Sequence, residues 1–122
     1  MKSHELEDSG PYYQPLEQIQ EFTSDGQYVT RWGSYSSGDA QFGEAKGMAT
    51  DPVGAVYVAD GTLSRVQKFT DDGDFIMKWG GFGFDPGQLN FPFGVATRGL
   101  GEIYVLEVFN HRVSKFSLAG SS

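Results

Sequence analysis

Apolar residues in this chain fall in short runs of four or five, each bounded by turn-forming residues. In the clearest stretch the runs are "KGMAT" at 46–50, "VYVA" at 56–59, "RVQKF" at 65–69 and "FIMKW" at 75–79. Between them lie "DPVG", "DGTLS" and "TDDGD", and the glycine-rich "GGFGFDPGQLNFPF" follows. Runs rich in Val, Ile, Tyr, Phe and Trp between Gly, Pro and Asp clusters read as strands. No window keeps the i, i+3, i+4, i+7 spacing of a helix. The pattern therefore predicts an all-β chain.

The runs also recur. Trp32 and Trp79 are 47 residues apart, and the same step joins Phe22, Phe69 and Phe116, then Gly47 and Gly94, Tyr57 and Tyr104, Arg65 and Arg112. Between 47–73 and 94–120, 11 of 27 positions are identical without a gap, so the unit is a true repeat. Four short strands in each repeat of this length predict β-propeller blades of four antiparallel strands. Residue size supports a wedge: "GMAT" and "GVAT" are small, as suits a strand crowded near an axis, and the last strand ends in Trp. "VYVA" is apolar at both parities, which predicts a sheet covered on both faces.

Those quoted segments resemble the NHL repeat, in "GMATDPVGAVYVAD", "RVQKF", "DGDF" and "KWG", and again in "FGVA", "GEIYV" and "NHRVSKF". The resemblance covers about 19–120 and implies a six-bladed propeller. Asn110, His111 and Arg112 keep the Asn-His-Arg turn, whereas Leu63, Ser64 and Arg65 keep only its arginine. In the first unit Gln18 replaces the arginine and Tyr13 stands where Asp60 and Glu107 stand later.

With strands lettered a to d outward from the axis, three partial or complete blades are expected. Blade 1 supplies strands c and d over 18–32, blade 2 all four over 46–79, and blade 3 strands a to c over 94–116. The propeller segment runs over 18–120, after a polar arm over 1–17 whose first eleven residues read as flexible. Nine strands make an incomplete ring within one chain. Completion calls for a longer polypeptide or for a homo-oligomer, with a trimer giving six blades.

Charge and composition narrow the chemistry. Sixteen Asp and Glu against nine Lys and Arg give a net charge of −7. A nucleic-acid binder needs a cationic surface, so DNA is excluded as a partner and RNA, which some NHL propellers bind, is disfavoured. Cysteine is absent, which removes disulfide and thiol chemistry. No run is long enough to span a membrane, and no signal peptide is visible, so a cytoplasmic chain and a processed secreted one fit equally.

Each candidate site has a structural alternative. Asp60 with Arg65, and Glu107 with Arg112, stand at the same offset of five and are expected to pair across their turns and fix the geometry there, the alternative being that each pair grips a polar ligand. His111 belongs to a turn and His4 to the arm, and no donor set for a metal is apparent. The acidic turns at 24–26 and 71–73 lack a calcium-ligand series. The glycines at 81, 83 and 87 miss phosphate-loop spacing. No catalytic residue, cofactor or metal ligand is assigned. Tyr35, Phe82, Phe84, Phe91 and Phe93 lie in the long connectors, where they plug seams between blades or anchor a partner.

The expected function is a non-catalytic interaction module that binds a protein, peptide or carbohydrate through its inter-blade loops. The alternative implied by the resemblance is part of a metal-dependent lyase or hydrolase.

Overall fold

The computed structural model describes residues 2–7 and 18–118. Ten strands run in chain order: β1 (Lys2–Glu7), β2 (Gln18–Thr23), β3 (Tyr28–Trp32), β4 (Ala45–Thr50), β5 (Val56–Asp60), β6 (Arg65–Phe69), β7 (Phe75–Gly80), β8 (Pro92–Arg98), β9 (Glu102–Glu107) and β10 (Arg112–Ser117). They form three antiparallel sheets in the orders β1-β2-β3, β4-β5-β6-β7 and β8-β9-β10. The chain is all-β, and its sheets are not closed into a barrel but follow one another like the blades of a partial propeller. Among the described residues no helix is long and apolar enough to cross a membrane.

The pleat of β5 explains the stacking. Val56 and Val58 point into a seam shared with the first sheet, where they meet Ile19, Phe42 and Phe69. Tyr57, one step out of phase, points into the opposite seam with Val66, Leu89, Ile103 and Val105. Every residue of β5 is buried, as a central sheet with two covered faces requires. The tryptophans widen each seam away from the inner strands. Trp32 packs on Phe69 at 5.8 Å between ring centroids, and Trp79 packs on Phe116 at the same distance.

Close approach of the inner strands depends on glycine. A Cβ on Gly47 of β4 would stand 2.5 Å from the carbonyl oxygen of Phe93 and 3.0 Å from Cα of Gly94. Beside this contact the Thr97 hydroxyl donates to the Thr50 carbonyl at 2.7 Å. Asp51 shapes the β4–β5 turn by accepting from the Val53 and Ala55 amides and from the Tyr57 hydroxyl at 2.9 Å. Burial, then the hydrogen bond and charge of Asp51, push the Tyr57 phenol far above its ordinary range.

The N-terminal expectation needs correction. Lys2–Glu7 is not an arm but a strand, paired with β2 in a register that sets Leu6 against Ile19 and Glu7 against Gln18. Among the described residues the first sheet thus has three strands, and ten strands replace the nine expected. The 47-residue step fails here because this strand connects to β2 through residues 8–17, where the later sheets use a four-residue turn. Tyr13 and the rest of 8–17 lie outside the described residues, and Glu7 takes the register position opposite Gln18 that Asp60 has opposite Arg65.

Candidate interaction surface

Two connectors, residues 33–44 and 81–91, join successive sheets and share one internal design. Tyr35 bridges to Phe42 in the first, and Phe82 bridges to Leu89 in the second, 47 residues on. Phe42 and Leu89 are fully buried and plug the two seams. The Phe42 amide donates to the Ser34 carbonyl and the Leu89 amide to the Gly81 carbonyl, each at 2.8 Å. Each loop therefore turns one apolar side chain inward and ties its own backbone.

An arginine clamps each loop from outside. Arg65 donates to the carbonyls of Ser37, Gly38 and Gln41 at 2.9, 2.8 and 2.7 Å. Arg112 does the same to Phe84 and Gln88 at 2.8 and 3.0 Å, with a longer contact of 3.4 Å to Asp85. The planar guanidinium suits this task because its several donors spread over separate carbonyls.

The expected pairing across the turn forms at Glu107 and Arg112 and not at Asp60 and Arg65. Both Asp60 and Glu107 are fully buried. Asp60 accepts from the amides of Gly43, Glu44 and Leu63 at 2.8, 3.0 and 3.1 Å, and forms no ion pair with Arg65. Arg65 Nε is buried without a hydrogen-bond partner. Glu107, one methylene longer, reaches Arg112 Nε at 2.8 Å and also accepts from Asn110, Ser114 and the Asn90 amide. Burial alone would raise the Glu107 carboxyl. Hydrogen bonds from Arg112, Ser114 and Asn110, with the Arg112 charge, outweigh it and hold the group below its ordinary value.

The turn residue before each arginine has left-handed backbone, with φ of 52° at Ser64 and 53° at His111. His111 is exposed there.

The five connector aromatics do not act as one group. Phe82 and Phe84 stand 75% and 76% exposed and Tyr35 52% exposed, although their backbones are held. Phe93 is exposed on β8, while half-buried Phe91 packs on Phe109 with centroids 5.3 Å apart. Phe109 is an exposed ring absent from the sequence-based set. Its turn is tied to the second connector, since Asn110 donates to the Gly83 carbonyl at 3.0 Å and the Val108 amide to the Phe91 carbonyl at 3.2 Å. Phe82, Phe84 and Phe109 therefore share one end of the molecule. The signal for the seam plugs was present in sequence, as Phe42 and Leu89 are apolar at one repeat spacing. Nothing comparable marked Phe109, whose counterpart is Thr62.

At the sheets' other turns the chemistry is polar. His4, Thr50, Asp51, Val53, Gly54 and Asp71 line a cleft of about 460 Å³, where His4 packs edge-on against Trp32 at 5.5 Å. Glu21, Asp71 and Asp72 bring carboxylate oxygens within 4.8 Å of one another, and each is engaged in an interaction of its own. Gly73 closes this turn with φ of 96°, its Cα so near the Trp32 ring that a Cβ would stand 2.7 Å away.

No protein-family model and no curated protein matches the chain. Among solved structures it is similar to a structural-genomics protein of unknown function from Bacteroides thetaiotaomicron VPI-5482. That likeness has a TM-score of 0.64 at 19% identity and covers 84% of this chain. It covers 31% of the other, so this chain spans about a third of that protein's length. Similarity at this level shows the fold alone.

Proposed function

We propose that the chain is a non-catalytic interaction module, with sheets of the NHL-repeat type serving as a rigid platform for a protein or peptide partner. The supporting observation is the pairing of exposed rings with an immobilised backbone. Phe82 and Phe84 extend into water from a connector whose carbonyls are gripped by Arg112. An aromatic ring on a held loop binds with little ordering cost, which is why such residues act as anchors at interfaces. The acidic balance argues for a partner surface that is apolar or cationic and against nucleic acid.

Selection of peptides from a random library on the immobilised chain tests this reading. Enriched peptides should lose binding to a Tyr35→Ala, Phe82→Ala, Phe84→Ala variant whose thermal unfolding matches the wild type. Peptides that bind both proteins equally would place recognition elsewhere and defeat the proposal. Carbohydrate ligands are tested by the same variant on a glycan array. Single-stranded RNA should show no salt-dependent binding.

A further inference from the structure

The two connectors are built alike inside and differ in what they show to water. The first exposes one ring, Tyr35, and has Ser37 where the second has Phe84. Its exposed acid, Asp39, is neutralised by Lys78, whose Nζ stands 2.7 Å from the carboxylate. The second connector exposes two rings, Phe82 and Phe84, and Phe109 of the neighbouring turn adds a third at 61% exposure. Asn110, the residue after Phe109, holds the Gly83 carbonyl between Phe82 and Phe84, so the three rings are carried on one tied backbone. Phe91 backs the Phe109 ring.

Charge separates the connectors further. Asp85 directly follows Phe84 and is exposed. Arg112 reaches only the Asp85 carbonyl, at 3.4 Å, and spends its other donors on Phe84, Gln88 and Glu107. Among the described residues no hydrogen bond or ion pair engages the Asp85 carboxylate. Nor does any described cation lie over the three rings, although Lys68 and Lys115 lie over Tyr57 and Tyr104 within the sheets. This corner therefore joins the electron-rich faces of three rings to one uncompensated carboxylate, on a chain of net charge −7.

That arrangement selects among partners. A wholly apolar surface laid on the rings would strip water from the Asp85 carboxylate and return nothing. An acidic surface would be repelled. A cation resolves both difficulties, since its charge is attracted to the carboxylate and to the ring faces together. Guanidinium fits better than ammonium: its plane stacks on a ring, its paired N–H groups match a carboxylate, and it is more weakly hydrated.

We propose that Phe82, Phe84, Phe109 and Asp85 form a docking site for a peptide segment that carries an arginine. This rests on the platform reading above and names the chemistry of its partner.

Short random peptides with a central arginine, lysine or citrulline are the probes, citrulline keeping the shape of arginine without its charge. On the immobilised full chain the arginine pool should be retained about fivefold more than the citrulline pool, and more than the lysine pool. Asp85→Asn and Phe84→Ala, both at exposed positions, should each bring that ratio toward one with thermal unfolding unchanged. Asp74→Asn makes the same change of charge in an exposed turn at the other end of the sheets and should leave the ratio in place. A ratio that falls equally with Asp74→Asn would reduce the preference to overall charge and overturn the proposal. Equal retention of the arginine and lysine pools would overturn it too. If all three pools are retained alike and are lost with Phe84→Ala, the platform stands and the arginine site falls. If no pool is retained, both fall.

Discussion

The turns at Asp60–Arg65 and Glu107–Arg112 occupy the same place in successive sheets and solve the same problem with different wiring. In both, an arginine grips three carbonyls of the preceding connector. In both, a buried carboxylate satisfies amides that would otherwise be stranded. Only the longer acid also meets its arginine. One methylene therefore separates a backbone cap beside a clamp from a cap and clamp fused into one network. A repeat in sequence guarantees the same fold position, not the same chemistry.

The largest expected difference comes from deleting the acids. Glu107→Ala leaves the Arg112 clamp and several donors without their acceptor and should cost about 3 kcal/mol, in the range for breaking a partly buried ion pair. Asp60→Ala removes amide caps and a long contact from the Thr62 hydroxyl, with no ion pair among them, and should cost about 1–3 kcal/mol. Urea unfolding of both variants checks the order, and equal losses would erase the distinction.

Arginine replacement comes next. Lysine keeps the charge but cannot divide its donors among carbonyls in a fixed plane. Arg112→Lys, which also breaks the Glu107 contact, should cost about 2 kcal/mol, and Arg65→Lys about 1 kcal/mol. Thermal unfolding of the pair provides the measurement.

Acid titration sharpens the contrast further. The folded Glu107 carboxyl lies below its ordinary value of 4.5, so its ionised form contributes stability that is fully present above that value. The contribution declines as pH falls below 4.5 and is gone once pH passes under the lowered folded value. Glu107→Gln should therefore be less stable than wild type at neutral pH and should lose less stability between neutral and strongly acidic solution. Parallel stability curves would contradict the assignment.

The smallest effect belongs to backbone geometry. His111 is exposed in a left-handed conformation that glycine adopts freely, and His111→Gly should raise stability by about 0.5 kcal/mol. Ser64→Gly should gain less or lose, because Ser64 is buried and its hydroxyl accepts from the Phe91 amide. A double comparison of melting temperatures reads this difference.

Periodicity made the central and third sheets legible before any coordinates. Strand runs at both parities announced that β5 has two covered faces, and the repeated glycine at 47 and 94 announced the tight inner approach. The first sheet was less legible for a physical reason: β1 keeps the pairing register but not the chain spacing, and it sets Ser3 and Glu5 at the register positions that Val56 and Val58 hold in the central sheet. The connectors were opaque in another way. A loop has no period, so sequence could not separate Phe42 and Leu89, which face inward, from Phe82 and Phe84, which face water. The acids at 60 and 107 were legible as turn residues, but their burial was not, because it depends on the connector folding over them.

Amide hydrogen exchange in the two connectors, resolved by residue, bears most directly on the claim that the exposed rings stand on a rigid base. The amides of Phe42 and Leu89 should exchange as slowly as those of β5 and β9 in the wild type. Arg65→Met should speed the first and Arg112→Met the second, each leaving the other connector unchanged. Exchange at the rate of an open loop in the wild type, at either residue, would show that the connector is not held and that its aromatics have no fixed platform.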